Sequence, residues 1–270
     1  MISMLVRKKY RLHNKLKLRR TFDIKLARSL NLVIRSRKYN YPHYDDLCIN
    51  WGSSYYNGTH PKRWLNDPAS VHNAINKIKT LKILHNNNIP SLTFTLNKED
   101  AKYLFNTNDK VYCRTKVKSC KGKGIVIANN KDELVDAELY TAHFPLTHEY
   151  RYHIFNGKVI HVQEKRKRKS ETLEQLGLVH NPLIRNFDNG YVFCIQDVII
   201  FPEIEESCIK TVEALGLDFA AIDVGAIIKS VDGDVKLQDY AIIEVNTAPA
   251  LKDTTFNKYH NALKSYIEAL

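Results

Sequence analysis

The stretch "AIIEVNTAPAL" (241–251) sets two oxygen-bearing side chains into an apolar run. Ala241, Ile242, Ile243 and Val245 read as a buried strand, and Thr247, Pro249 and Ala250 end it. Side chains two positions apart on a strand point the same way, so Glu244 and Asn246 aim their oxygens at one place. Upstream, "FAAIDVGAII" (219–228) puts Asp223 into a second apolar strand, between Ile222 and Val224. A hairpin turning at Asp232-Gly233 lays the two strands antiparallel and brings Asp223 across from residues 242–244. Two buried carboxylates resist ionising together unless something positive lies between them. Hard oxygen donors converging on one point are what Mg²⁺ takes beside phosphate oxygens. A hydrogen-bonded hairpin, or one salt bridge, would use the same residues without a metal.

"HEYRYHIFNGKVIHVQEKR" (148–166) reads as a strand, an Asn156-Gly157 turn and a returning strand. Arg151 stands in a strand that is otherwise apolar and aromatic on alternate positions, and Arg166 lies where the return ends. The spacing in "HEYRYH" is not H-E-x-x-H, which excludes a zinc-protease helix. "KSCKGKGIVI" (118–127) is a glycine-bearing loop running into a strand. Backbone N–H groups of such a loop can close over an anion, with Lys121 and Lys123 adding charge. No G-K-[ST] follows, so this is not a Walker loop, and a plain basic hairpin has the same composition.

The rest of the chain alternates helices and strands. "DDLCINWGSS" (45–54) reads as a buried strand ending in a turn, and a helix is expected from about Val71 to Asn87, capped by Ser70. A second helix starts near Lys98, strands cover 111–117, 125–128 and 191–195, and helices cover 203–215 and 255–269. The layout is α+β with long antiparallel hairpins. With 270 residues and 44% hydrophobic content, one large domain or two modest ones can bury a core. No stretch approaches the roughly 18 apolar residues of a membrane span, and the N-terminus lacks the pattern of an export signal. The five cysteines are scattered without C-x-x-C spacing, which fits a reducing, cytoplasmic setting and no zinc site. The net charge of +12 is concentrated in residues 1–38, which hold 13 Lys and Arg against the single acid Asp23. Such an arm can hold nucleic acid or another anionic partner; a solvated, partly helical extension has the same composition.

In order along the chain, "INWGSS", "NKIKTLKILHNNNIP", "CRTKVKSCKGKGIVIA", "HEYRYHIFNGKVI", "LIRNFDNGYVF", "LGLDFAAIDV" and "IIEVNTAPAL" resemble an ATP-grasp ligase. Within that superfamily the sequence resembles the glutamate-ligase-like branch and its short phage-encoded relatives. The resemblance spans roughly residues 30–251; its specific parts are the D…E-x-N end and the E-Y-R-x-H-x-F-N-G-K segment. It implies the ATP-grasp fold, in which two α+β lobes clamp ATP between antiparallel sheets behind a small α/β domain. The corresponding boundaries are 1–38 for the basic arm, 39–75 for the small domain, 76–145 for the lobe with the glycine loop and 146–270 for the lobe with the metal site. By the same resemblance, Asp223, Glu244 and Asn246 hold two Mg²⁺ ions. Lys77 reaches the phosphates, and Gly122, Lys123 and Gly124 belong to the loop that covers them. Glu138, Leu139, Tyr140 and Thr141 form the hinge that meets adenine, and Glu149 holds the ribose. Arg151, Arg166, Arg185 and Asn186 surround the γ-phosphate and the acyl-phosphate. Arg114 departs from the family, many members of which have lysine there; arginine keeps the charge and can bind phosphate bidentately.

The implied reaction is ATP- and Mg²⁺-dependent joining of a carboxylate to an amine through an acyl-phosphate, releasing ADP and phosphate. Phosphoryl transfer needs mainly positioning and charge neutralisation, so Cys120 reads as a small loop residue and not as a nucleophile. The basic arm and "EKRKRK" (164–169) suggest an acidic substrate, either a small molecule or a protein tail. The expected setting is cytoplasmic, and the resemblance to phage-encoded proteins extends it to an infected bacterial host. Relatives in this branch allow a homo-oligomer, a dimer or a tetramer, and the sequence leaves the oligomeric state open. Two other readings share the residues: a non-catalytic nucleotide- or nucleic-acid-binding module on the same fold, and phosphate transfer to an alcohol.

Overall fold

The computed structural model describes residues 1–6, 22–36, 45–56, 61–117, 124–231 and 234–270. Among these residues the strands form three sheets. In the first, β1 (Ile2–Val6), β2 (Val33–Ser36), β3 (Leu47–Trp51) and β4 (Arg63–Leu65) run parallel in the order β2-β1-β3-β4. The apolar start of the chain is thus an interior strand, and α1 (Phe22–Ser29) buries Ile24, Leu26 and Ala27. This corrects the expectation of an appended arm over 1–38: its apolar segments supply two of the four strands of the parallel sheet. Most of its basic residues, at 7–21 and 37–38, lie outside the described residues.

The single helix expected over 71–87 is two, α2 (Pro68–Ala74) and α3 (Lys77–Asn86). Asp67, not Ser70, caps α2, accepting from the Ala69 N–H with Pro68 at the first turn. Asn76 breaks the run because its side chain accepts from the N–H groups of Ile78 and Lys79 and so starts a new helix. The second sheet is antiparallel in the order β5-β8-β6-β7, from β5 (Phe94–Thr95), β6 (Val111–Arg114), β7 (Ile125–Ala128) and β8 (Leu139–Ala142). Helix α4 (Lys98–Leu104) packs on it through Ala101, against Val111, Cys113 and Tyr140.

The third sheet is antiparallel in the order β11-β10-β9-β12-β13. Its strands are β9 (His148–Phe155), β10 (Lys158–Lys167), β11 (Tyr191–Cys194), β12 (Phe219–Val231) and β13 (Asp234–Asn246). Helix α5 (Ser170–Leu176), absent from the sequence reading, follows β10. On one face Tyr150, Tyr152, Ile222, Val224, Ile242 and Val245 pack against Ile204, Cys208 and Val212 of α6 (Pro202–Ala214). Each such large side chain contributes on the order of 1.5–3 kcal/mol when fully buried. On the other face, Phe155 and Phe219 at one end meet Trp51 and the Tyr259 and Leu263 of α7 (Asp253–Glu268). That leaves the polar end of the same face uncovered by helix. Asn66, buried with φ of 66°, ties the first sheet to the third: it accepts from the N–H groups of Asp218 and Phe219 and donates to the Phe219 carbonyl.

Candidate functional site

The polar end of the third sheet is the floor of a cavity of about 1060 Å³. Strand register builds it in rows. Gln163, Arg151, Asp223 and Glu244 stand side by side across β10, β9, β12 and β13. A bulge at Ile243 turns that residue and Glu244 to the cavity together, while Ile242 and Val245 remain in the core. The turn at Asp232-Gly233 lies outside the described residues, but the strands it would join pair as expected, Asp223 with Glu244.

Three ion pairs cover this floor. Arg151 donates to both Asp223 oxygens, from Nε at 2.6 Å and Nη2 at 2.7 Å, while its guanidinium lies 4.4 Å from the Phe193 ring centroid. Lys77, at the start of α3, donates to Glu244 Oε1 at 2.9 Å. Lys165 pairs with Glu149. Burial alone would raise the Asp223 carboxyl, which is 4% exposed, but the charge and hydrogen bonds of Arg151 more than offset it and hold the group below the usual carboxylate range. Burial pushes the Glu149 carboxyl up, with Lys165 opposing. Burial also lowers the Arg114 guanidinium, against the attraction of Glu244; arginine stays charged regardless.

The opposite wall comes from the second sheet through Tyr112, Arg114 and Thr141, and the side wall from residues 182–187. Tyr112 joins these two walls, its hydroxyl donating to the Leu183 carbonyl at 3.2 Å. Arg185 donates to the carbonyls of Leu146 and Thr147 at 3.0 and 3.3 Å, so the segment between β8 and β9 is tied to the side wall.

Of the residues singled out from sequence, Lys77, Arg114, Thr141, Glu149, Arg151, Arg185, Asn186, Asp223, Glu244 and Asn246 all line this cavity. Asn186 also accepts from the Asn189 N–H and so shapes its own loop. Arg166 does not line it: strand alternation sends its side chain to the other face, where it pairs with Glu164 and donates to the Asp197 carbonyl. The cavity instead receives Gln163, Lys165 and Arg168. Glu138 is exposed, and Tyr140 is buried in the α4 core with its hydroxyl on the Val135 carbonyl. Leu139 lines a smaller adjoining cavity of about 230 Å³. The wall formed by the segment joining the two antiparallel sheets therefore lies further along, at Thr141–Phe144 and Leu146. Gly124 has φ of 76°, and its carbonyl accepts from the Thr115 N–H. Gly122, Lys123 and Cys120 lie outside the described residues. Period-two reading from Arg151 into its partner strand would have found Gln163 and Lys165; Lys252, also in the wall, had no such signal.

No family model and no curated protein matches the chain. Solved structures do. D-alanine–D-alanine ligase from Bacillus anthracis superposes with a TM-score of 0.61 at 15% identity, over 99% of this chain and 96% of that one. The ATP-grasp ligase PsnB, complexed with a phosphomimetic variant of minimal precursor, Mg and ADP, gives 0.62 at 11%, over 99% and 97%. This chain has the ATP-grasp fold. The macrocyclase MdnC of Microcystis aeruginosa, bound with precursor peptide MdnA, is similar over 100% of both chains, with a TM-score of 0.56 at 12% identity.

On this ATP-grasp frame the metal question is one of donor chemistry. Among the described residues no three His, Cys, Asp or Glu side chains cluster as a ready-made cage. The floor offers two carboxylates, Asp223 and Glu244, and the Asn246 amide, whose Nδ2 is 3.5 Å from Asp223 Oδ2. Two carboxylates and an amide fit Mg²⁺, which keeps open positions for phosphate oxygens and water in preference to an all-protein cage. Among the described residues no helix is long and apolar enough to cross a membrane.

Proposed function

We propose that this protein is an ATP-dependent carboxylate–amine ligase that works through an acyl-phosphate. The observation that carries the reading is the pairing of Arg151 with Asp223 and of Lys77 with Glu244 on one cavity wall. Two acids and two bases held in one cleft have a use when a polyanion enters: the cations turn to its phosphates and the carboxylates to its counter-ion. The fold supports nucleotide binding in this cleft, between two antiparallel sheets.

In this reading Asp223, Glu244 and Asn246 hold Mg²⁺, which when bound neutralises phosphate charge. Lys77 and Arg114 take the inner phosphates, and Arg151 and Lys165 take the γ-phosphoryl group. Glu149 holds Lys165 in place through its ion pair. The base lies against the Thr141–Phe144 segment. A substrate carboxylate oxygen attacks the γ-phosphorus, the bond to the β-phosphate oxygen breaks, and ADP leaves. An amine then attacks the acyl carbon, phosphate departs, and the amine gives up a proton. Arg168 and Arg185 face the acyl side, where they neutralise the carboxylate that attacks. Protein side chains form no covalent intermediate. Exclusion of water by the closed cleft is required, since an acyl-phosphate would hydrolyse.

The test is incubation with Mg-ATP, a pool of amino acids and peptides, and hydroxylamine as a surrogate amine, followed by separation of the nucleotides. ADP and a hydroxamate, both dependent on a carboxylate, support the reading. AMP would mean adenylation and overturn the acyl-phosphate route.

A further inference from the structure

One buried chain of side chains in the floor has no place in the roles above. His153 on β9 is 1% exposed and lies under the row that carries Arg151. Its Nδ1 is 3.3 Å from the hydroxyl of Tyr259 on α7, and its Nε2 is 3.1 Å from Gln163 Oε1 on β10. Tyr259 is fully buried and stands edge-on to the imidazole, with 5.6 Å between ring centroids. Gln163 lies directly across from Arg151 in the strand register, and its side chain lines the cavity.

Hydrogen-bond chemistry orders this chain. The Gln163 carbonyl oxygen, which only accepts, is the atom beside Nε2, so the ring proton sits on Nε2 and is donated to it, which leaves Nδ1 to accept from the Tyr259 hydroxyl. A glutamine whose oxygen is engaged behind it offers the cavity its amide NH₂, which only donates. A donor fixed in this way suits an oxyanion, and it adds no charge beside Asp223. Burial keeps the imidazole neutral, lowering its pKa to about 3, so the direction of the chain stays the same across the working pH range.

We infer that Gln163 donates a hydrogen bond to the γ-phosphoryl group beside Arg151, and that His153 and Tyr259 are positioning residues that hold its amide in the donating orientation. The inference rests on the nucleotide reading proposed above. It assigns to Gln163 a contact that distinguishes a nucleotide with a γ-phosphate from one without. Donors fixed in place before charge develops stabilise it without reorganisation, and loss of one such donor costs about 10²–10³ in rate in a well-studied hydrolase.

Calorimetry with Mg-ADP, with and without beryllium fluoride as a γ-phosphate mimic, tests this without knowing the acceptor. The wild-type protein is expected to bind Mg-ADP more tightly with the fluoride present. Gln163→Leu should lose tenfold or more of that gain while keeping its Mg-ADP affinity, which also certifies that the variant is folded. His153→Phe should lose a similar share, and the double variant should be no worse than Gln163→Leu alone. Tyr259→Phe, which removes one hydroxyl, should lose a smaller share, two- to fivefold. An unchanged gain in Gln163→Leu overturns the contact, and additive losses in the double variant overturn the positioning role of His153. A wild-type protein that binds neither ligand would overturn the nucleotide reading itself, and this inference with it. Should the chemistry be measurable, Gln163→Leu is expected to lower kcat more than it raises KM for ATP, a split that mere loosening of the sheet would not produce.

Discussion

Lys77 and Glu244 are 167 positions apart in sequence, yet Lys77 Nζ donates to Glu244 Oε1 at 2.9 Å. The pair joins the helix that precedes the second sheet to the last strand of the third, at the shared edge of the two cavities. Removing either end should have different consequences. Glu244→Gln keeps the shape but loses a metal-binding charge, so ADP formation should fall by about 10²-fold or more and its Mg²⁺ requirement should rise. Lys77→Met should mainly raise KM for ATP, about tenfold, because one phosphate contact is gone. Initial rates over a grid of ATP and Mg²⁺ concentrations separate the two. Full turnover in Glu244→Gln would remove it from the metal site.

Arg151 and Asp223 form a deeply buried pair of the floor, with side chains 16% and 5% exposed. Losing one partner leaves a charge without its counterpart in low dielectric, which typically costs about 3–5 kcal/mol. Arg151→Met should therefore destabilise the protein by roughly that amount as well as abolish turnover, and urea unfolding would measure it. The pair also predicts a pH dependence. Because the folded Asp223 carboxyl is depressed, its contribution is fully present above the unfolded value of about 3.9. It is lost as pH falls through the lower folded value. Acid unfolding of Asp223→Asn should show a shallower pH slope below pH 4 than the wild-type protein.

Lys165 and Arg166 are neighbours in sequence and face opposite sides of β10. Lys165→Met should lower turnover by about tenfold or more. It should also leave Glu149 buried without its partner, at a cost of several kcal/mol. Arg166→Met should leave activity within about threefold; it strips the buried Glu164 of its arginine partner, at a cost of about 1–3 kcal/mol, although the guanidinium itself is about one-third exposed. Parallel rate and melting measurements on the two variants decide between alternation and the bare sequence reading; a larger activity loss in Arg166→Met would reverse it.

What the sequence disclosed follows from periodicity. Asp223, Glu244 and Asn246 stood out because oxygens interrupt apolar strands, and Arg151 because its strand is otherwise aromatic and apolar. Alternation carried across the Asn156-Gly157 hairpin puts Lys165 on the Arg151 face, whereas the end of the returning strand taken alone points to Arg166. The net charge of residues 1–38 says nothing of the strand Ile2–Val6, a five-residue apolar segment that precedes the basic run. From sequence, Tyr140 reads equally well as a wall or a core residue, and packing in the α4 cluster decides for the core. Residues 168 and 252 reach the cavity only through tertiary contacts, for which local sequence has no period.

Asn76 links local sequence to the site. Its side chain caps α3 from the break between two helices, and the next residue is Lys77. Asn76→Ala should cost about 1 kcal/mol in stability through loss of the cap. It should also let the helical run continue through residues 75–77 and turn Lys77 away from Glu244. A rise in KM for ATP of threefold or more, in a variant still folded by circular dichroism, is the expected sign. An unchanged KM would mean that packing alone orients Lys77.

Gly52 supports the site from the parallel sheet. It has φ of 77°, a conformation side-chain-bearing residues seldom adopt, and a methyl group added there would come within 2.6 Å of Ala248 Cβ. Ala248 is two residues beyond Asn246, on the segment that leaves β13 for α7. A Cβ atom cannot swing aside without its backbone, so Gly52→Ala must move the 247–251 segment or strain the turn after β3. A loss of about 1–3 kcal/mol is expected from the clash together with the left-handed backbone. If Asn246 is a metal ligand, the shift should also weaken Mg²⁺ activation, whereas Gly157→Ala, at a hairpin turn with open space around it, should lose stability alone. Melting curves and Mg²⁺ titrations of the two variants would separate the effects. Equal Mg²⁺ dependence in both would detach the parallel sheet from the metal site.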